Sequence, residues 1–344
     1  MSSVSTIRTR LLAWYDVCRR DLPWRARQGE QADSYGVWLS EVMLQQTTVA
    51  HATRYFLDFT GRWPTVAHLA AADDDEVMAA WAGLGYYARA RNLLACARAV
   101  AIQHGGVFPG DEAGLRALPG LGAYTAAAVA AIAFDRPANV VDGNVERVMA
   151  RLFAVESAMP GAKGELKDLA ARFVTTVRPG DWAQALMDLG ATVCRPRTPE
   201  CPACPLSGVC KAEAGGAPET YPRKTARRAR PRRHGVAFAL THGQAVAMVR
   251  RPPKGLLGGM LGLPTTPWRA APWPSTEAVD HAPGAGPWRE AGVVTHVFTH
   301  FSLDLRVLTA STRARDAALL WTPLSEALAG APTLFRKALE MAVR

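Results

Sequence analysis

The segment over residues 215–233 constrains the fold of this 344-residue chain more than any other part of the sequence. It contains two glycines, three prolines and seven basic residues with almost no core-forming side chain, and so predicts a linker. Apolar residues recur at helical spacing before it and alternate as in strands after it. We therefore expect an all-α domain over residues 1–214, a basic linker over 215–233 and a smaller α+β domain over 234–344.

Apolar periodicity predicts the elements on either side of this linker. In the first part it indicates helices over residues 6–19, 35–59, 67–81, 89–104, 111–118, 124–134, 145–153, 165–177 and 181–194. In the second part, residues 236–240 and 245–250 flank Thr-His-Gly-Gln and indicate a hairpin. Residues 301–307 alternate as in a half-buried strand, and residues 334–343 indicate a helix.

The composition is that of an ordinary globular chain, with 49% hydrophobic and 20% charged residues. It excludes an intrinsically disordered, collagenous or small disulfide-rich protein. Because there is no apolar run of about 18 residues and no apolar core of a secretory signal near residue 1, we expect neither a membrane span nor secretion. The expected location is a reducing compartment, the bacterial cytoplasm.

The net charge of +10 is unevenly distributed. Residues 1–210 carry 21 basic and 21 acidic side chains, residues 211–233 carry 8 and 2, and residues 234–344 carry 11 and 7. A basic chain favours a nucleic-acid partner. Because the first part is neutral, a phosphate-binding face there has to be a local patch.

Four of the six cysteines lie within seventeen residues, in the pattern C-x6-C-x2-C-x5-C. Thiolates are the ligands of iron–sulfur clusters and of structural zinc, and disulfides are disfavoured in a reducing compartment. Because only one pair is closely spaced, the pattern favours a cluster over zinc, with zinc as the alternative; the four residues are Cys194, Cys201, Cys204 and Cys210. The intervening Arg195 and Arg197 are either phosphate contacts or a solvated pair.

Residues 118–126, LPGLGAYTA, predict a helix–hairpin–helix. Gly120 and Gly122 permit the sharp turn, and the free N–H groups and dipole of the next helix favour an anion. A DNA phosphate would bind there without regard to base sequence. The alternative is a plain α-hairpin with the same turn.

Two carboxylates stand out in the helical part. Glu41 has mostly apolar neighbours at helical spacing, so burial should raise its pKa and hold a proton ready for donation. Asp142 precedes a helix and is expected to stay ionised there. Taken singly, Glu41 suits the edge of an amphipathic helix and Asp142 a simple cap. Taken together, they resemble the acid and the charged partner that break a glycosidic bond.

Several motifs resemble one family. LPGLGAYTA, the spacing from Tyr124 to Asp142 and the four cysteines are similar to the endonuclease III superfamily of DNA glycosylases. Within it, the chain resembles the MutY-type adenine DNA glycosylases through LPWR, VWLSEVMLQQT, GLGYYARARNL, VVDGNVERV and QALMDLGATVC. The part after the linker is also similar, through RPPKGLLGGMLGLP and HVFTHF.

The resemblance implies an enzyme that flips adenine out of double-stranded DNA when it is mispaired with 8-oxoguanine or guanine, and removes it. It implies that Glu41 is the acid that protonates adenine N7 and then assists water. It implies that Asp142 stabilises the sugar cation or bonds to it transiently, and that Tyr124 and Asn144 support this chemistry.

The resemblance also implies binding roles. The residues around the adenine would be Trp24, Arg25, Leu44 and Asp188, with Asp188 accepting from the exocyclic amine. Those that wedge into the stack and hold the 8-oxoguanine side would be Gln46, Thr47 and Tyr86. The four cysteines would hold a [4Fe–4S] cluster. The protein would be a nucleoid-associated monomer.

Tyr124 and the second domain determine the expected subtype. Relatives that also cut the strand carry Lys at the position of Tyr124, and a phenol cannot form the Schiff base that a lyase requires. The second domain resembles a Nudix fold without a Nudix phosphohydrolase motif, and in the family it recognises 8-oxoguanine through a segment that is here Phe298, Thr299 and His300. His296 and His300 are more simply loop residues than metal ligands. The alternatives are a bifunctional endonuclease III-like lyase and a non-catalytic iron–sulfur DNA-binding protein.

Overall fold

The structure, a computed structural model, describes residues 3–27, 29–225, 230–252 and 255–343. They form two compact units, residues 3–84 with 89–225 and residues 85–88 with 230–343. Within the described ranges, none of the helices has the length and apolar content to cross a bilayer.

The first unit is helical, as predicted. Its helices are α1 (Val4–Cys18), α2 (Ser34–Met43), α3 (Val49–Arg62), α4 (Val66–Ala71), α5 (Asp74–Ala80), α6 (Tyr87–Gln103, whose first two residues belong to the second unit), α7 (Glu112–Ala117), α8 (Ala123–Phe134), α9 (Gly143–Phe153), α10 (Lys163–Ala171), α11 (Pro179–Asp188) and α12 (Lys211–Ala214). Helix α11 continues as a π-helical turn, Leu189–Val193. Short 3₁₀ turns follow at Cys201–Ala203 and Pro218–Thr220.

Two helices predicted as continuous are each divided. The prediction over residues 35–59 is wrong after Met43, where α2 ends and a turn follows in which Gln46 has a φ of +60°. Thr48 then caps α3 by accepting a hydrogen bond from the His51 amide at 3.3 Å. In the same way, Asp73 caps α5 and divides the helix predicted over residues 67–81. The turn after Met43 brings the end of α2 to the surface next to a pocket.

Helix α8 lies at the centre of the first unit. Residues 125–131 are all buried, because the run of alanines lets neighbouring helices approach closely on every side. Helices α2, α7 and α11 pack against it. This arrangement brings the start of α8 close to the middle of α2.

Part of the predicted linker is folded onto the first unit. Tyr221 is buried in its core, with its hydroxyl donating to Glu156, and Arg223 pairs with the same carboxylate at 3.0 Å. Met159 and Lys224 form an isolated bridge, and the first strand of the second unit already begins at Arg232. The described structure therefore corrects the linker: residues 215–225 belong to the first unit, and residues 226–229 lie outside the described residues.

The second unit is a sheet covered by helices, which confirms the α+β prediction. Its strands are β1 (Arg232–His242), β2 (Ala245–Arg250), β3 (Leu261–Gly262), β4 (Arg289–Val297), β5 (Ser302–Ser311) and β6 (Leu320–Pro323), in the order β3-β2-β1-β5-β4, with β6 on β2. The predicted β1–β2 hairpin is present, and β1 also runs parallel to β5. Helices α13 (Ser275–Ala278), α14 (Leu324–Gly330) and α15 (Thr333–Ala342) complete the unit, and α15 packs on β1, β4 and β5.

Candidate active site and cysteine loop

A small pocket opens in the first unit beside Glu41. It is mostly apolar with a few polar side chains, the usual character of a small-molecule site. The residues that line it are Arg20, Leu22, Trp24, Arg25, Val37, Ser40, Glu41, Leu44, Val49, Ile132, Gln184 and Met187. The predicted Trp24, Arg25 and Leu44 are among them.

Glu41 is a buried carboxyl group with one direct hydrogen-bond donor. Burial raises its pKa to about 7, against the opposing effect of the hydrogen bond that the Tyr124 hydroxyl donates to Oε2 at 2.8 Å. The charge of Asp142 raises the pKa further, and that of Arg25 lowers it. Burial raises the pKa of Tyr124 well above its usual range, so the phenol stays protonated. Glu41 can therefore hold and release a proton near neutral pH.

Asp142 caps α9 and faces the same region. Its Oδ1 accepts from the Val145 amide at 2.7 Å, and its Oδ2 accepts from Asn144 Nδ2 at 2.7 Å. These two hydrogen bonds hold both oxygens of the carboxyl group in place at the start of the helix. Asp142 is thus a cap, and also a fixed negative charge close enough to act on Glu41.

A hydrogen-bonded chain connects Asn144 to the cysteine loop. Arg147 donates to Asn144 Oδ1 at 2.8 Å, to Gly190 O at 2.6 Å and to Cys194 O at 2.8 Å. Gly190 lies in the π-helical turn, where an added Cβ would be 2.6 Å from the Cβ of Asn144. Only glycine fits there, so the turn sets the position of the partner of Asp142.

The role of Asp188 as an acceptor for a ligand amine stays a prediction, and the structure gives both of its oxygens other partners. Asp188 is fully buried, and both its oxygens accept from Arg25, at 2.6 and 2.7 Å. Arg20 adds a contact to Oδ1 at 2.6 Å and its amide a contact to Oδ2 at 3.0 Å. Burial alone would raise the pKa of Asp188, but the hydrogen bonds and charge of Arg25 outweigh it and lower the pKa.

Gln184 is one of the polar pocket residues that sequence reasoning missed. It lies one turn before Asp188 on the same face of α11 and lines the pocket. Its Nε2 donates to Gly180 O at 3.3 Å, which leaves its carbonyl oxygen available to a bound group. The motif QALMD begins with Gln184 and ends with Asp188, and the spacing alone does not show which of the two lines the pocket.

The predicted wedge residues lie outside the pocket lining. Gln46 is exposed at the turn after α2, and Thr47 follows it. Tyr86 has a φ of +50° and is 52% exposed. Their exposure and backbone geometry suit a contact with an external partner, and their assigned role stays a prediction.

The hairpin has the geometry that phosphate binding requires. Gly120 has a φ of +75°, and an added Cβ would lie 2.6 Å from the Cβ of Asn92. Gly122 begins α8 without a side-chain cap. The first amides of α8 therefore have no capping side chain, as the anion-binding prediction requires.

The four cysteines line one cavity, which Arg151 also borders, and all four thiols are free. Among the described residues, no group of three or more metal-ligating side chains converges as a single metal ion requires. Four thiols on one cavity are the ligand set of a structural zinc or of an iron–sulfur cluster. Burial raises the pKa of Cys204 to about 12, so thiolates there require a cationic centre.

Arg151 holds the cysteine loop from inside the unit. It is 1% exposed and donates to Cys194 Sγ at 3.2 Å, Arg195 O at 2.8 Å and Pro196 O at 2.9 Å. The loop is thereby tied to α9. Arg195 itself pairs with Glu200, so its predicted phosphate contact would have to compete with a carboxylate, whereas Arg197 is exposed.

In the second unit, Phe298, Thr299 and His300 form the turn between β4 and β5. The Phe298 amide donates to Phe301 O at 2.9 Å, and the Phe298 ring stacks on Trp268 with centroids 5.7 Å apart. Thr299 and His300 are exposed. His296 contacts the Phe298 ring, and burial and Lys337 lower its pKa. Thr299 and His300 thus form an exposed polar tip, and the stacked rings of Phe298 and Trp268 form the aromatic base on which it lies.

Comparisons with known proteins match both units. Residues 39–173 match the HhH-GPD superfamily of base excision DNA repair proteins, and residues 235–341 match the NUDIX domain. The adenine DNA glycosylase of Homo sapiens is 37% identical over 89% of this chain and 67% of its own length. That of Mycobacterium tuberculosis is 38% identical over 78% and 81%.

Solved structures resemble the first unit. A thermostable thymine-DNA glycosylase is 29% identical with a TM-score of 0.55, covering 62% of this chain and 97% of its own. An endonuclease III–DNA complex, 23% identical with a TM-score of 0.50, covers 63% and 99% and shares the fold.

We predict that Asp188→Asn destabilises the first unit by about 3 kcal/mol, because Arg25 then loses its buried counter-charge. Urea unfolding followed by tryptophan fluorescence measures this free energy. The control is Asp58→Asn, which breaks an exposed pair with Arg62 and should cost less than about 1 kcal/mol. Equal, small losses in both variants would show that Asp188 does not hold Arg25.

Proposed function

This chain belongs to the adenine DNA glycosylases, DNA N-glycosylases of base excision repair, and we propose that its substrate is adenine opposite 8-oxoguanine or guanine in double-stranded DNA. The observation that carries the proposal is the buried Glu41–Tyr124 pair beside Asp142, at a pocket lined by apolar and hydrogen-bonding side chains. Two carboxyl groups with different environments are what glycosidic bond hydrolysis requires.

We propose that Glu41 donates its proton to N7 of the flipped adenine. Protonation makes the base a neutral leaving group, so the C1′–N9 bond breaks with its electron pair going to the base. Asp142 then faces an oxocarbenium-like sugar and stabilises its positive charge. Glu41, now a carboxylate, takes a proton from the water that attacks C1′. The proton is thereby returned to Glu41, and the products are adenine and an abasic site.

We propose that Gln184 replaces Asp188 as a hydrogen-bonding partner of the adenine edge. Its carbonyl oxygen can accept from the exocyclic amine, while Asp188 holds Arg25 and Arg20. Trp24 and Leu44 supply apolar surface for the ring. Recognition by a neutral amide also leaves the charge balance around Glu41 undisturbed.

We propose that the enzyme does not cut the strand. The residue that contacts the acid is Tyr124, and a phenol has no amine with which to form a Schiff base at C1′. Tyr124 instead orients the carboxyl group of Glu41 through the hydrogen bond that its hydroxyl donates.

We propose that the cysteine cavity holds a [4Fe–4S] cluster, through Cys194, Cys201, Cys204 and Cys210. Such a cluster supplies a cationic core for four thiolates. The loop that carries these cysteines is joined to α9 by Arg147 and Arg151. We further propose that Phe298, Thr299 and His300 contact the 8-oxoguanine.

We expect the protein, in excess over a labelled duplex with adenine opposite 8-oxoguanine, to yield a strand break only after hot alkali. Glu41→Gln should abolish the alkali-dependent break, because an amide N–H is too weak an acid to protonate the base, while DNA binding persists. Glu76→Gln, on the exposed start of α5, is the control. A break without alkali would contradict the monofunctional assignment, and excision by Glu41→Gln at the normal rate would contradict the assigned acid.

Single-turnover excision should decline as the pH rises through about 7, since Glu41 must be protonated to act. Tyr124→Phe removes a hydrogen bond that lowers this pKa, so the midpoint of the decline should move to higher pH. Rates measured from pH 6 to 9 test this. Tyr55→Phe, whose hydroxyl bonds to Ala82 O away from the pocket, should keep the original midpoint; a shift to lower pH in Tyr124→Phe would refute the assignment.

The purified protein should absorb visible light in the range typical of iron–sulfur charge transfer and contain about four iron atoms per chain. Cys204→Ser should lose both colour and iron, because a ligand of the cluster is removed. Cys18→Ser, at an exposed site on α1, should retain both. A colourless protein that contains zinc would overturn the cluster.

A further inference from the structure

Next to the turn of Phe298, Thr299 and His300, the second unit presents an arginine whose position is fixed by an aromatic ring. The guanidinium of Arg233 lies over the Phe301 ring, with its central carbon 4.6 Å from the ring centroid. The side chain is exposed. Among the residues that the structure describes, no carboxylate lies within ion-pair distance of it.

Strand pairing explains why this charge lies beside the turn. Strand β1 runs parallel to β5 with Arg233 opposite Leu303, and Ser302 N donates to Pro231 O at 3.0 Å. The start of β1 is therefore adjacent to the residues that close the turn. Arg233 and Phe301 lie on the sheet face that also carries Trp268.

The neighbouring arginines are engaged elsewhere. Arg232 lies on the opposite face of β1, because successive side chains alternate, and it pairs with Asp304 at 3.4 Å. Arg251 packs on the other side of the aromatic base, over Trp268, and donates to Leu256 O. Arg233 is thus the exposed, preorganised cation next to the tip.

We propose that Arg233 binds a backbone phosphate of the DNA strand that carries the oxidised guanine, beside the nucleotide that the turn contacts. This inference rests on the proposed function of Phe298, Thr299 and His300. A guanidinium held flat on a ring keeps its edge free for phosphate oxygens and loses little side-chain entropy on binding. One contact of this kind fixes register without reading sequence.

The test measures binding to a duplex with 2′-fluoro-2′-deoxyadenosine opposite 8-oxoguanine, since the electron-withdrawing fluorine disfavours the oxocarbenium-like state and prevents turnover. Arg233→Gln should weaken binding by about fivefold at 0.1 M salt and reduce the slope of log K against log salt by about 0.9, one phosphate contact. Arg232→Gln is the matched control and should leave the slope unchanged. Arg233→Lys should retain the slope because it retains the charge.

The outcomes separate this inference from the proposed function. An unchanged slope in Arg233→Gln, or an equal loss of affinity on undamaged duplex, would overturn the assignment of Arg233 to the lesion strand. Thermal unfolding of each variant shows whether a loss of DNA affinity arises from a damaged fold. If Arg233→Gln is destabilised, the salt slope of Arg233→Lys, which keeps the charge, tests the proposal instead. Adenine excision by the unaltered protein tests the proposed function on its own, because the binding assay does not depend on turnover.

Discussion

The burial of Glu41 is the constraint on which the rest of the site depends. An ionised carboxylate in an apolar pocket costs several kcal/mol, so the group stays neutral unless a cation reaches it. Arg25 lies on the same pocket and would pair with Glu41 if it were free. Asp188 holds Arg25 in a two-point contact instead. The buried pair thus keeps a cation near the site while its charge is matched by Asp188 and not by an ionised Glu41.

The second carboxylate, Asp142, lies at the start of helix α9 and, unlike Glu41, accepts hydrogen bonds on both oxygens. Asp142 is held in place because the helix start and Asn144 both donate to it. The same helix presents Arg147 and Arg151 one and two turns later, and both reach the cysteine loop. Arg151 is buried and donates to Cys194, Arg195 and Pro196 of this loop as well as to Tyr221 O. These contacts hold the loop in one position relative to α9. The geometry of the charged group therefore depends on a loop that lies far from the pocket.

Local patterns in the sequence predicted the parts that local physics determines. The apolar neighbours of Glu41, the cap position of Asp142 and the cysteine spacing are all readable within a few residues. The contact between Asp188 and Arg25 could not be predicted, because Arg25 lies 163 residues earlier and nothing in QALMD distinguishes an acceptor for a ligand from one for an arginine. The packing of residues 215–225 on the first unit could not be predicted because the burial of Tyr221 depends on distant helices. The end of α2 at Met43 has no Gly or Pro to signal it.

The pocket alone cannot account for discrimination between base pairs. Glu41, Asp142 and Gln184 meet an adenine that has already left the helix, and that adenine is the same molecule whatever base it faced. A hundredfold preference requires about 2.7 kcal/mol of difference between transition states, and this difference has to arise from the base left behind or from the cost of flipping. On the proposed function, the exposed tip of Phe298, Thr299 and His300 would supply polar groups for that purpose. Selectivity and bond cleavage are therefore separable, and a substitution in the tip should change which adenines are removed without changing the proton transfer that removes them.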